Sequence, residues 1–178
     1  SISGDATQAE LGELSGLDDF RTESTYVRSN MAAIYNYWIQ QVGFDGFRID
    51  TVKHVEMNFW QNWCPLVHQF AATNGRPNFF MFGEVYDGDP KCGTYTGTQG
   101  GGAFKLDSVL DYPLYFLVNS VFATASGNTA QIENRYASLA GNYDPSARDR
   151  LVTFLDNHDQ ARFLSPANAN NNTDRLKV

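Results

Sequence analysis

The chain has 178 residues, of which 42% are hydrophobic and 14% aromatic, enough for one ordinary domain core and too apolar for a disordered chain. Its formal net charge of −7 disfavours nucleic acid and anionic membranes as partners and suits an uncharged substrate. No apolar run reaches the ~18 residues of a membrane span. Cys64 and Cys92 match no zinc spacing, and whether they pair or stay free is open at this point. The opening SISGDATQAELGEL has no basic–apolar–small order, so no signal peptide is expected within it.

In chain order, the residues to about Glu23 are small and polar and are expected to form a loop. From Thr25, Val27, Met31, Ile34, Trp38, Ile39 and Val42 recur on one face of a helix, which Gly43 is placed to end. A strand is expected around Phe44–Asp50. The aromatic stretch Met57–Ala72 reads as a helix that Pro65 should kink or divide. Asn74–Pro77 is a turn, followed by a strand at Phe79–Phe82. Asp87–Gly102 is Gly- and Thr-rich and is expected to be a long loop. Phe104–Leu110 is a weak strand candidate. Tyr112–Phe122 reads as a helix with Pro113 in its first turn. Thr129–Ala140 reads as another helix, Arg150–Leu155 as a strand, and the tail from Ser165 as an Asn-rich loop.

Strands alternating with helices imply a parallel sheet with helices packed outside it. The reading has no first strand and no helix after the last one, and its four strands would leave open edges. Residues 1–178 are therefore expected to be one segment of a larger (β/α) domain.

Three acids close three apolar runs: Asp50 after GFDGFRI, Glu84 after NFFMFG, and Asp159 in LVTFLDNHD. A carboxylate at the end of a buried strand is costly unless it has a function, and three suggest one site at one rim of a sheet. Side chains alternate along a strand, so Arg48 points the same way as Asp50 and should keep it ionised, as a nucleophile must be. Glu84 follows an apolar run, and such surroundings raise a carboxyl pKa, which suits a proton donor. His158 and Asp159 can bind hydroxyls, His54 shares the rim of Asp50, and His68 lies in mid-helix with a structural role. An acid beside a nucleophilic carboxylate is the equipment of retaining glycoside hydrolysis, which predicts a separation of roughly 5–5.5 Å between Asp50 and Glu84.

At these residues the sequence resembles the alpha-amylase family of glycoside hydrolases. GFRIDTVKH (46–54) resembles the family's nucleophile motif, FGEVYDGDP (82–90) its acid/base motif and FLDNHDQARF (154–163) its third-carboxylate motif. The resemblance implies an α/β fold that is part of a TIM (β/α)8 barrel, spanning roughly the fourth to seventh strands, with the site at the strands' C-terminal ends. It implies Asp50 as nucleophile, Glu84 as general acid/base and Asp159 as transition-state stabiliser, with Arg48, Lys53, His54 and His158 binding substrate. The Lys53–His54 pair tilts the reading to an endo-acting enzyme on α-1,4-glucans, monomeric and secreted. A cyclodextrin-forming transglycosylase and a non-catalytic amylase-like subunit are the alternatives. The family's earlier Asp…Asn-His motif has no match. Gly16 stands where the family often has a calcium-binding Asp; Asp18, Asp19 or Glu13 are candidate substitutes, and the His54 carbonyl is another ligand that the resemblance implies, so calcium is open at this point.

Overall fold

The computed structural model describes residues 6–13 and 16–165. Among these, seven helices and three strands follow in order: α1 (Ala6–Leu11), α2 (Thr25–Val42), β1 (Gly46–Ile49), α3 (Met57–Thr73), β2 (Phe80–Gly83), α4 (Asp89–Thr94), β3 (Ser108–Val109), α5 (Tyr112–Val118), α6 (Ala130–Asn142) and α7 (Pro145–Arg148). The strands pair in sequence order, β1–β2–β3, and both pairs are parallel. In register, Phe47 faces Met81 and Arg48 faces Phe82. Parallel neighbours need a crossover, and α3 supplies it between β1 and β2. The fold is thus one arc of a (β/α) barrel wall.

Gly43 ends α2 in the left-handed conformation, at φ +82°, and its N–H returns to the Ile39 carbonyl. The crossover helix α3 buries Trp60, Trp63, Cys64 and Val67 against a core that includes Ile39 and Met81. Phe47 and Phe79 meet edge to face, with centroids 5.0 Å apart. Gly46 has no side chain because a Cβ there would strike the Phe80 carbonyl of the neighbouring strand.

Several sequence expectations are corrected. The first stretch is not all loop, since it contains α1. Pro65 does not divide α3 into two pieces: one helix runs from Met57 to Thr73. The buried residues on both sides of Pro65 hold the two halves against the same core, and packing overrides the proline's local preference. The supposed loop Asp87–Gly102 contains α4, with Pro90 in its first turn. It is pinned by Asp144, whose carboxylate accepts from the Thr98 N–H at 2.8 Å and the Thr98 hydroxyl at 2.9 Å. The strand expected at Phe104–Leu110 shrinks to Ser108–Val109. The helix from Tyr112 passes after Val118 into a π-helical turn, Asn119–Ala123.

The strand expected at Arg150–Leu155 is a single bridge, Leu110 to Val152. It still runs beside β3, because the Val152 N–H donates to the Val109 carbonyl and the Asp111 N–H to the Val152 carbonyl. No longer ladder forms, since β3 offers only two residues and Phe154 turns to stack on Tyr115. The Asn-rich tail beyond Ser165 lies outside the described residues. Cys64 and Cys92 are both buried free thiols, and burial pushes the Cys92 thiol up to about 12.

Candidate active site

The C-terminal ends of the strands converge on one arginine. Asp50 follows β1 directly and Glu84 follows β2 directly. Parallel pairing puts both on the same rim, where the Glu84 N–H donates to the Ile49 carbonyl at 2.7 Å. Arg48 projects from the last full turn of the pleat below them. Its Nη1 lies 3.3 Å from Asp50 Oδ2, and its Nη2 lies 3.1 Å from Glu84 Oε2 and 3.9 Å from Asp159 Oδ2. One guanidinium therefore touches all three acids that the sequence singled out.

After Asp50 the chain turns sharply. Thr51 has φ +51°, a strained value for a β-branched residue, and leads into the 3-10 turn Val52–His54. That turn lifts Lys53 over the rim, where its Nζ donates to the Tyr86 carbonyl at 2.7 Å and lies 3.7 Å from Asp87 Oδ2. His54 is turned the other way: its Nδ1 lies 3.1 Å from the Ala9 carbonyl of α1. His158 is exposed, and its Nε2 lies 3.0 Å from Asp159 Oδ2. His68 stays structural, 3.2 Å from the Asp107 carboxylate.

The two carboxyls nearest the guanidinium titrate in opposite directions. A hydrogen bond from Glu84 is the largest influence on Asp50 and, with the Arg48 charge, holds it below the usual aspartate range. Burial, followed by the neighbouring Asp50, raises Glu84 above the usual glutamate range. The proton of the pair therefore sits on Glu84 and Asp50 carries the charge. The Arg48 effect that the sequence foresaw is thus joined by one from Glu84.

Two further groups complete the site and were not foreseen from the sequence. The Tyr112 hydroxyl donates to Glu84 Oε1 at 3.2 Å, and the Asn157 amide donates to the Tyr112 hydroxyl at 3.4 Å. Tyr112 sits in the first turn of α5, just past β3. Part of the signal was present, since a polar aromatic residue closes a fourth apolar run, SVLDY, in the manner of the acids. Among the described residues, no cluster of three or more His, Cys, Asp or Glu side chains is placed to hold a metal.

A parallel β/α arc whose strand ends bring Asp50, Glu84 and Asp159 onto one arginine gathers three carboxylates at one rim. The alpha amylase catalytic domain family model matches residues 11–178. An alpha-amylase of Streptomyces lividans is 39% identical over 169 residues, covering 90% of this chain and 17% of that protein. A cyclomaltodextrin glucanotransferase of Klebsiella oxytoca is 30% identical over 173 residues, covering 95% of this chain and 26% of that protein. Among solved structures, an alpha-amylase from Geobacillus thermoleovorans complexed with acarbose superposes with a TM-score of 0.77 at 31% identity, over 90% of this chain and 33% of its own. The chain belongs to the alpha-amylase family, and its fold is part of the family's TIM barrel. It spans about a third of the solved alpha-amylase chain and 17–26% of these two curated relatives.

Proposed function

We propose that this chain supplies the catalytic carboxylates of a retaining, endo-acting glycosidase that cleaves α-1,4-glucosidic bonds in starch or related glucans. The observation that carries this reading is the convergence of Asp50, Glu84 and Asp159 on Arg48 at one rim. In the first step Asp50 attacks the anomeric carbon as Glu84 gives its proton to the departing glycosidic oxygen, and a glycosyl ester forms on Asp50. In the second, Glu84 takes a proton from water, the water oxygen attacks the same carbon, and the ester bond to Asp50 breaks. Two inversions retain the α configuration. Asp159, held by Arg48 and His158, faces the positive charge that develops on the sugar ring. Lys53, over the rim, would bind substrate on the leaving-group side, whereas the His54 ring faces the Ala9 carbonyl of α1.

A glucan polymer is too large to enter a cell intact, so secretion belongs to the same proposal, as does a monomeric state. Calcium belongs to the same proposal as a structural ion, with the His54 carbonyl among its ligands. A shift of the thermal midpoint with EDTA tests it. The cyclodextrin-forming alternative is favoured by one observation, the 30% identity to the Klebsiella glucanotransferase. Product analysis on starch, using the complete protein, decides between them: linear maltooligosaccharides support hydrolysis, and cyclic products support transfer. Asp50→Asn should abolish both, and retained activity would refute the assignment.

A further inference from the structure

We propose that Tyr112 is a positioning residue for the acid/base carboxyl, donating to Glu84 Oε1 while Asn157 and a buried arginine clamp hold its hydroxyl in place. This rests on Glu84 being the acid/base, as argued above.

The geometry assigns each Glu84 oxygen its own partner: Oε2 takes Arg48 at 3.1 Å and Oε1 takes Tyr112 at 3.2 Å. Tyr112 has little freedom to leave. It is fully buried, and its ring meets Tyr86 and Phe154 edge to face with centroids 4.8 and 5.0 Å away. The Asn157 amide donates to the phenol oxygen, which leaves the phenol's own proton for Glu84. The same Asn157 accepts from the Asp159 N–H at 2.9 Å through Oδ1. One side chain thus ties the third-carboxylate loop to the acid/base.

The clamp lies behind Tyr112. Asp111 caps α5, accepting from the Leu114 N–H at 3.1 Å and from Arg135 Nη2 at 2.6 Å. Arg135, buried in α6, also grips Asp89 at the start of α4 at 2.7 Å. Tyr143 adds a hydroxyl to Asp89 at 2.8 Å. Three helices therefore fix the peptide that carries Tyr112.

A hydroxyl that donates to a carboxyl favours its ionised form. The groups facing Glu84 are Arg48 and Asp50 from β1, Tyr112 from α5, and Asp159 with His158 beyond Val152. Arg48 and Tyr112 draw the Glu84 proton affinity down, against burial and Asp50, which raise it. Tyr112→Phe removes one of the two restraints and keeps the ring.

The test uses the complete protein and follows the Glu84 carboxyl carbon by NMR titration, with no substrate present. Tyr112→Phe should raise the Glu84 midpoint by about one pH unit, the scale of a hydrogen bond to a charged group. The basic limb of kcat/KM should rise with it, kcat should fall about tenfold, and KM should barely move. A folded variant with an unmoved midpoint overturns the proposal. Asn157→Ala, which leaves the Tyr112 ring untouched, should raise the midpoint less, and in combination with Tyr112→Phe should add nothing. An additive double variant overturns the relay. A protein that titrates as described yet leaves glucans intact would refute the proposed function and spare this inference; an active protein with an unmoved midpoint would do the reverse.

Discussion

At the residue scale, one guanidinium and one shared proton divide the work of two carboxyls. Asp50 has its pKa lowered, so it stays charged as pH falls past the ordinary aspartate value and loses its charge only further down. Glu84 has its pKa raised, so it keeps its proton as pH rises past the ordinary glutamate value. The competent form, Asp50 charged and Glu84 protonated, therefore spans the interval between the two. We expect a bell-shaped kcat/KM profile on maltooligosaccharides, with the acidic limb below and the basic limb above the ordinary values. Arg48→Leu should carry the acidic limb upward, because Asp50 loses its opposite charge, and should lower kcat by about a hundredfold or more. A profile whose acidic limb stays put would mean that Arg48 does not govern Asp50. Strand alternation alone made the Arg48–Asp50 pair legible in the sequence. The Arg48–Glu84 contact was not legible, because it depends on the register that sets Arg48 opposite Phe82. Tyr112 was hidden for the same reason: its reach to Glu84 requires knowing that β3 lies beside β2.

At the scale of elements, local signals worked where a residue's conformation was decisive and failed where packing was. Gly43 ended α2 as expected, since its left-handed φ serves glycine best. Pro65 did not end α3, because Trp63, Cys64 and Val67 hold the helix from both sides. The α4 segment was concealed by its glycines, and one of them explains why it is needed. A Cβ on Gly93 would strike the Asn142 carbonyl at the end of α6. Gly93→Ala should therefore destabilise the complete protein by about 1–3 kcal/mol, as overpacking does, measured by denaturant unfolding. The Arg135 clamp predicts a larger loss. Asp111 lies 1% exposed, and burial pushes its carboxyl up while Arg135 pulls it down. Arg135→Met should cost about 3–5 kcal/mol, because it leaves Asp111 as an uncompensated buried charge and Asp89 as a half-buried one. A loss below about 1 kcal/mol would show that water or a rearranged partner replaces the guanidinium.

For the whole molecule, the apolar face of α2 carries the argument. The sequence set Ile34, Trp38, Ile39 and Val42 on one helical stripe, as core-facing residues should be. Only Ile39 is buried, while Ile34, Trp38 and Val42 stand 52%, 48% and 56% exposed. Tyr37 lies against Trp38 edge to face and is 55% exposed as well. Periodicity says that a face is apolar and not what lies against it. Among the described residues, α2 packs on α3 and leaves this stripe in water. A contiguous apolar surface of this kind is a liability in a soluble monomer. The 178-residue chain produced by itself should therefore bind a hydrophobic dye such as ANS strongly and self-associate on size exclusion at micromolar concentration. Its thermal transition should be broad, because only part of its apolar surface is withdrawn from water. Replacing Ile34, Trp38 and Val42 together by polar residues should reduce dye binding and association. In the isolated chain the stripe governs solubility, whereas the geometry around Arg48 depends on the wall that holds it. A sharp, dye-free melt of the unaltered chain would show instead that these side chains find cover within it.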